Sequence, residues 1–262
     1  MMFCPLYSGS SGNSTLLEGG GARVLIDAGL PGKMIERALS EAGVEPHTID
    51  AIVITHEHSD HIRGVGVLSR RYGLPIYANE GTWRAMNGQL GAIKPANIRI
   101  FETGRDFYIK ALNILAFATP HDAAEPVGYS FSAAGRKVSV MTDIGHINNN
   151  LLCAVEGADL LLIEANHDVP MLQAGSYPYT LKRRILSDKG HLSNENAGKA
   201  LAKLYLRGVR NAILGHLSRE NNCEQLCMET VRAALRLEDI PDEEFRLAMA
   251  YRDRPAGMFR VG

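Results

Sequence analysis

Short apolar runs alternate with turn residues along most of the chain. In the first half the runs are Ser14 to Glu18, Arg23 to Ile26, Ile49 to Thr55, Ile76 to Ala78 and Ile98 to Phe101. They are rich in Ile, Val and Leu and bounded by Gly, Pro, Asn or Asp, a pattern that predicts strands. The second half continues with Asn113 to Ala118, Val127 to Ser132, Lys137 to Met141, Leu160 to Ile163 and Asn211 to Leu214, and Phe245 to Ala250 is a candidate closing edge. Helical spacing of apolar residues predicts helices over Pro31 to Ala42, Ile62 to Tyr72, Gly81 to Met86, Asn149 to Val155, Ser193 to Leu206 and Cys223 to Leu237. Ser193 ahead of Asn194-Glu195-Asn196 supplies an N-cap hydroxyl and an acidic first turn. The mixture lacks a regular βαβ rhythm, so packed layers with helices covering sheets are expected instead of a plain doubly wound fold.

Gly19-Gly20-Gly21, between two apolar runs, reads as a hairpin turn. There is no internal repeat, low-complexity tract or long Pro/Gly/Ser linker, so residues 1–262 are expected to form one α/β domain. At 262 residues and 45% hydrophobic content the chain can bury a sizeable core. A formal net charge of −1 provides no global basic field, so a polyanion has to be held by a local patch. The N-terminal stretch lacks the basic start and apolar core of a signal peptide, and no segment approaches the roughly 18 apolar residues of a membrane span. A cytoplasmic protein without membrane association is expected. Cys4, Cys153, Cys223 and Cys227 have no ribbon or redox spacing and are read as buried small hydrophobes.

The chemistry concentrates after Ala51-Ile52-Val53-Ile54. Thr55 is followed by His56-Glu57-His58-Ser59-Asp60-His61, which places four potential ligands, His56, His58, Asp60 and His61, within six residues. In extended backbone, residues two apart project to the same side, so His56 and His58 can grip one ion as neutral imidazoles. Asp60 and His61 fall at the entry to the next helix and can point back toward a second. His and carboxylate donors suit two divalent ions, zinc first, with manganese or iron as alternatives.

This motif after a hydrophobic strand resembles the signature of the metallo-β-lactamase superfamily. The resemblance implies a four-layered αβ/βα sandwich, two mixed sheets flanked by helices, with a binuclear site in the groove between the sheets. It also implies later ligands at strand ends, and the chain offers His121 in Thr119-Pro120-His121-Asp122, Asp143 in Thr142-Asp143-Ile144-Gly145, and His216 in Leu214-Gly215-His216-Leu217. One ion would then be held by His56, His58 and His121, the other by Asp60, His61 and His216, with Asp143 bridging. Asp27, in Ile26-Asp27-Ala28-Gly29, matches the acidic residue that ends an early strand and orients a ligand histidine from behind; a turn-forming Asp is the plainer alternative.

Gly190-His191-Leu192-Ser193-Asn194-Glu195-Asn196 looks like the histidine loop of the phosphodiesterase branches. His191 would protonate the leaving alkoxide and Glu164 would orient it, while helix-start groups at Ser193 and Asn194 would receive a phosphate oxygen. Together with Ser8-Gly9-Ser10-Ser11-Gly12-Asn13-Ser14 and Glu164 to Asp168, the loop resembles the YycJ/WalJ branch of small bacterial members. That implies a nuclease with 5′ to 3′ exonuclease action on DNA, with Asp60, His191 and Glu164 as its catalytic groups. Tyr177 to Arg184 mixes rings with Lys182, Arg183 and Arg184, as a local DNA-binding patch would require. A thioesterase of the glyoxalase II kind shares the ligand set, and a non-catalytic metal-stabilised module is the remaining alternative. His47 is expected at the surface, and His146 and His167 near the groove without a ligand role.

Overall fold

Because the side-chain period of a strand is two, a strand apolar on both faces needs cover on both sides. The computed structural model, which describes residues 1–262, provides that cover with two sheets and two helical layers. The first sheet contains β1 (Met2–Tyr7), β2 (Ser14–Gly19), β3 (Ala22–Ile26), β4 (Ala51–Val53), β5 (Ile76–Ala78) and β6 (Ile98–Ile100). The second contains β7 (Asp106–Ile109), β8 (Leu112–Ala118), β9 (Val127–Ala133), β10 (Arg136–Met141), β11 (Leu160–Glu164), β12 (Asn211–Gly215) and β13 (Arg246–Met249). Finally β14 (Phe259–Arg260) returns to pair antiparallel with β1, giving the orders β14-β1-β2-β3-β4-β5-β6 and β13-β12-β11-β10-β9-β8-β7. Each sheet starts as antiparallel hairpins and switches to parallel pairing, at β3/β4 in the first and β10/β11 in the second.

Alternation along the strands builds the layers. Phe3, Leu17, Val24 and Val53 face the second sheet and meet Ile114, Phe131, Val140, Leu162 and Ile213 in a central core. Their neighbours Cys4, Leu16, Leu25 and Ile52 face the other way, under α1 (Gly32–Glu41), α3 (Val65–Tyr72) and α4 (Glu80–Met86). On the far side, Met141, Leu161, Ile163 and Leu214 lie under α5 (Asn149–Val155), α8 (Asn194–Tyr205) and α9 (Glu224–Arg236). Each fully buried aliphatic or aromatic side chain contributes about 1.5–3 kcal/mol relative to exposure. The result is the expected four-layered αβ/βα sandwich. The Gly19-Gly20-Gly21 turn joins β2 to β3 as the pattern predicts.

Several expectations shift. The helix predicted over Ile62 to Tyr72 is two pieces, α2 (Ser59–Ile62) and α3, because the Gly64 amide leaves the helical ladder and donates to the Ala28 carbonyl at 2.7 Å. The strands β1, β7 and β14, and the helices α6 (Val169–Ala174) and α7 (Tyr179–Ile185), were not expected from the pattern. Only Leu172 is buried in α6 and only Ile185 in α7, so neither carries an apolar stripe that periodicity can detect. Of the cysteines, Cys4 and Cys227 are buried as expected, whereas Cys153 and Cys223 are exposed; all four are free. No helix is long and apolar enough to cross a membrane.

Candidate active site

Hydrophobic strands carry polar residues to one end of the sandwich. Asp27 follows β3, Thr55 to His61 follow β4, His121 follows β8, Asp143 follows β10, Glu164 ends β11 and His216 follows β12. Three of these residues, Asp27, Asp143 and His216, have left-handed backbone at φ 59°, 55° and 57°. Such conformations cost an L-residue about 1–3 kcal/mol and gather where function holds them. The turn holding Asp60 and His61 is clamped from below: Ala28 N donates to His61 O at 2.9 Å and Asn13 N to Asp60 O at 2.8 Å. Gly29 is required under this clamp, since a Cβ there would stand 1.6 Å from the Asp60 carbonyl oxygen.

The donors converge in two groups. His56 Nε2 and His58 Nδ1 are 3.1 Å apart, and with a ring nitrogen of His121 they form a set whose atoms lie within 4.8 Å of one another. Asp60, His61 and His216 form the second set; Asp60 Oδ2 is 3.7 Å from His61 Nε2 and 4.0 Å from His216 Nε2. Asp143 lies between them, with Oδ2 3.3 Å from His61 Nε2 and Oδ1 3.8 Å from His121 Nε2.

The opposite ring nitrogens are held from behind. His61 Nδ1 meets Asp27 Oδ2 at 2.7 Å, and Asp27 also accepts from Thr55 N and Thr55 Oγ1, each at 2.8 Å. His56 Nδ1 lies 3.0 Å from Thr55 Oγ1, and His121 Nδ1 lies 3.2 Å from the Gly190 carbonyl. His216 Nδ1 meets Glu164 Oε1 at 3.1 Å. A backed Nδ1 fixes the tautomer so that Nε2 offers its lone pair to the centre, the arrangement metal-ligating histidines use. Buried atoms inside the centre lack partners, notably Asp143 Oδ2 and His216 Nε2. Buried polar atoms are rarely left unpaired, and this donor set of imidazoles and carboxylates fits divalent cations.

Charge is distributed unevenly across the two groups. Burial holds the His56 imidazole well below its ordinary pKa, with nearby His61 adding to the effect, and burial also lowers His121. Burial would lower His61 as well, but the charges of Asp27, Asp143 and Asp60 outweigh it and raise the group to about 10. Burial works against ionisation of Asp143, yet His216, His61 and the other imidazoles hold its carboxyl well below the usual range. His56 and His121 are thus held toward the neutral, coordinating form, whereas on the other side the Asp143 carboxylate and the imidazoles of His61 and His216 favour each other's charged forms.

His191 stands over this centre. Its Nδ1 meets Glu164 Oε1 at 2.6 Å, its ring centroid is 5.2 Å from that of His121 and 5.3 Å from that of His216, and its side chain keeps 19% exposure. Glu164 is completely buried, and its other oxygen accepts from Ile144 N at 2.8 Å. Burial alone would lower His191, but the Glu164 charge and hydrogen bond raise it to about 9.

Three expected substrate contacts have other tasks. Lys182 Nζ is committed to the Gln173 and Gly175 carbonyls at 2.8 and 2.6 Å, closing the end of α6. Ser193 Oγ accepts from Asn196 N at 3.2 Å as the cap of α8. Asn194 is buried and exchanges amide hydrogen bonds with Asn222 at 3.0 and 2.8 Å. Arg183 is exposed, with Tyr179 beneath it at 5.9 Å and itself 74% exposed, and Arg184 pairs with Asp122 beside His121. His47 and His146 are exposed and His167 is buried. Sequence reasoning missed Thr55, Asn13 and Glu57. Asn13 Nδ2 lies 3.1 Å from His61 Nε2, and Glu57 Oε1 accepts from Ala124 N at 2.8 Å, tying the first motif to the His121 loop. Only the position of Thr55 directly ahead of the first histidine hinted at its role.

A family model described as a β-lactamase superfamily domain matches residues 22–217. The exodeoxyribonuclease WalJ of Streptococcus pneumoniae is 46% identical over 228 residues, 86% of this chain and 85% of that protein. The exodeoxyribonuclease YycJ of Bacillus anthracis is 41% identical over 233 residues, covering 89% and 88% respectively. Among solved structures, the metallo-β-lactamase fold protein YhfI of Bacillus subtilis superposes with a TM-score of 0.72 at 17% identity, over 97% of this chain and 98% of that one.

Proposed function

Since the chain belongs to the β-lactamase superfamily, we propose that it is a binuclear metal-dependent exodeoxyribonuclease that hydrolyses phosphodiester bonds in DNA. The observation that carries this reading is the Glu164–His191 pair poised over the ligand cluster, because a protonated histidine at that point serves a departing alkoxide. His56, His58 and His121 would hold one divalent ion, Asp60, His61 and His216 the other, and Asp143 would reach both. Ions held there supply Lewis acidity toward a phosphoryl oxygen and an attacking water of lowered pKa.

The chain's own groups do the rest. Glu164 keeps the His191 Nδ1 proton in place, which leaves Nε2 as the end that donates to the leaving oxygen. Asp60, with 25% of its side chain exposed against 4% for Asp143, is the acid of the cluster that solvent reaches, and it orients the attacking water. Arg183 and the Tyr179 ring offer charge and stacking on the rim for a single strand. Zinc is the favoured ion, with manganese or iron as alternatives, and the cytoplasm, where DNA is found, is the favoured location.

End-labelled single- and double-stranded DNA, incubated with chelator-treated protein and then with zinc or manganese restored, tests the proposal. Progressive shortening only in the presence of metal is expected. Intact DNA alongside clear cleavage of a thioester by the same metal-loaded protein would overturn it.

A further inference from the structure

Beside His216, the loops that follow β12 and β13 line an open cavity of about 320 Å³ walled by Ser8, Ser218, Arg219, Asn222, Glu224 and Arg252. It backs onto the centre. Ser8 Oγ accepts the His216 amide at 2.8 Å, and Arg252 Nη2 donates to the Leu217 carbonyl at 2.6 Å. Its two arginines differ from Arg184, a rim cation that a carboxylate neutralises. Arg252 is half-buried and donates only to neutral oxygens, Leu217 O and, at 3.5 Å, Ser10 Oγ. Arg219 is exposed and donates to nothing, and Glu224 pairs with neither arginine. Burial and the neighbouring Arg219 charge work against the Arg252 cation, Tyr177 and Asp253 offset them only in part, and a bound anion would relieve what is left.

Two further observations agree. The cavity includes the start of α9, whose N-cap Cys223 makes no side-chain hydrogen bond to the first-turn amides, and free amides at a helix start favour anions. Ser176 Oγ reaches Glu220 at 3.2 Å, which draws one acid of this loop aside and brings the Tyr177 segment over the same face. Resting on the nuclease reading above, we propose that the cavity is a phosphate subsite in which Arg219 and Arg252 clasp a phosphate of the DNA strand adjoining the one under attack. Guanidinium groups suit this because they offer several donors in a planar fork to phosphate oxygens.

The test is the affinity of metal-loaded protein for 3′-fluorescein single-stranded DNA with phosphorothioate linkages, read by anisotropy over a range of salt. Arg219→Ala and Arg252→Gln should each weaken binding roughly tenfold, the order expected for one lost charge-assisted hydrogen bond. Each should also lower the slope of log affinity on log salt by about 0.7. Arg236→Ala, at the far end of α9 and paired with Asp242, removes the same charge elsewhere and should bind as wild type. Strands carrying a 5′-phosphate or a 5′-hydroxyl identify the source: a preference for 5′-phosphate that Arg219→Ala abolishes places the terminal group there, and equal loss for both strands places a backbone diester there. Arg219→Ala within twofold of wild type on both strands overturns the subsite, as does absence of strand binding by wild type. Because Arg219 is exposed, misfolding cannot account for its effect. The nuclease reading is judged separately, by whether wild type shortens phosphodiester DNA.

Discussion

Glu164→Gln removes one charge and almost no volume from a fully buried position, and its consequences follow from counting acceptors. The carboxylate serves three donors, Ile144 N on Oε2, and His191 Nδ1 and His216 Nδ1 together on Oε1. A glutamine has a single oxygen. If that oxygen faces Ile144, the amide NH₂ points at two imidazole N–H groups; if it faces the imidazoles, the NH₂ meets the Ile144 N–H. In the first arrangement His216 escapes the clash by moving its proton to Nε2, the nitrogen that faces Asp60, and so loses the lone pair it would offer a metal. Loss of such a backing carboxylate costs about 10- to 100-fold in metal affinity, equivalent to about 1.4–2.7 kcal/mol. His191 loses its orientation at the same time, at a cost of roughly 10²- to 10⁴-fold in turnover. Chelator competition measures the first effect, and hydrolysis of bis(p-nitrophenyl) phosphate at saturating metal measures the second. The alkaline limb of the pH–rate profile adds a sign. Glu164 raises His191 to about 9, so wild type keeps this acid protonated up to that pH, and the variant should lose activity at lower pH. Metal affinity and turnover both within threefold of wild type would refute the account of Glu164 as the shared support of His191 and His216.

His191→Ala should separate the two effects, keeping metal occupancy by elemental analysis while turnover falls roughly 10²- to 10⁴-fold; equal loss of metal would make it a ligand. Asp143→Ala should lower metal content on both sides of the centre, since Asp143 lies within 4 Å of His61 and of His121, and isothermal titration should find neither binding event intact. Gly29→Ala should cost about 1–3 kcal/mol of stability, read as a lowered melting temperature, because the new Cβ meets backbone that cannot turn aside. The same variant should bind its second ion more weakly than its first, since the displaced residue is Asp60.

The convergence of the polar positions was legible because their placement is local: each polar residue follows an apolar run that becomes a strand, and strands deliver their ends to a common edge. Asp27 was legible in the same way, and its contact with His61 gives the orienting arrangement its position implied. Ser193 and Asn194 were assigned to substrate because a helix start after a histidine looks receptive. What decides otherwise for Asn194 is Asn222, a partner 28 residues away that no local pattern exposes. Lys182 was misread for a related reason, as a basic run says nothing about which cation closes a neighbouring helix. The helices α6 and α7 escaped because each buries a single residue, too little to produce a period. Glu57 sits between the histidines of the first motif with no local sign of a role, and its bond to Ala124 appears only once the two motifs meet.

The left-handed backbone at positions 27, 143 and 216 has a bearing on how this centre can change over generations. Among side chains able to serve a cation, Asp, Asn and His are the ones that enter this conformation with comparative ease, whereas Glu is not. Their codons are also one base apart. Drift at these three positions therefore runs along a short corridor of Asp, Asn and His, in which each step alters charge and donor type while leaving the chain's path intact. Replacement by Glu keeps the charge but leaves the corridor, so the backbone filters substitutions here before metal chemistry does.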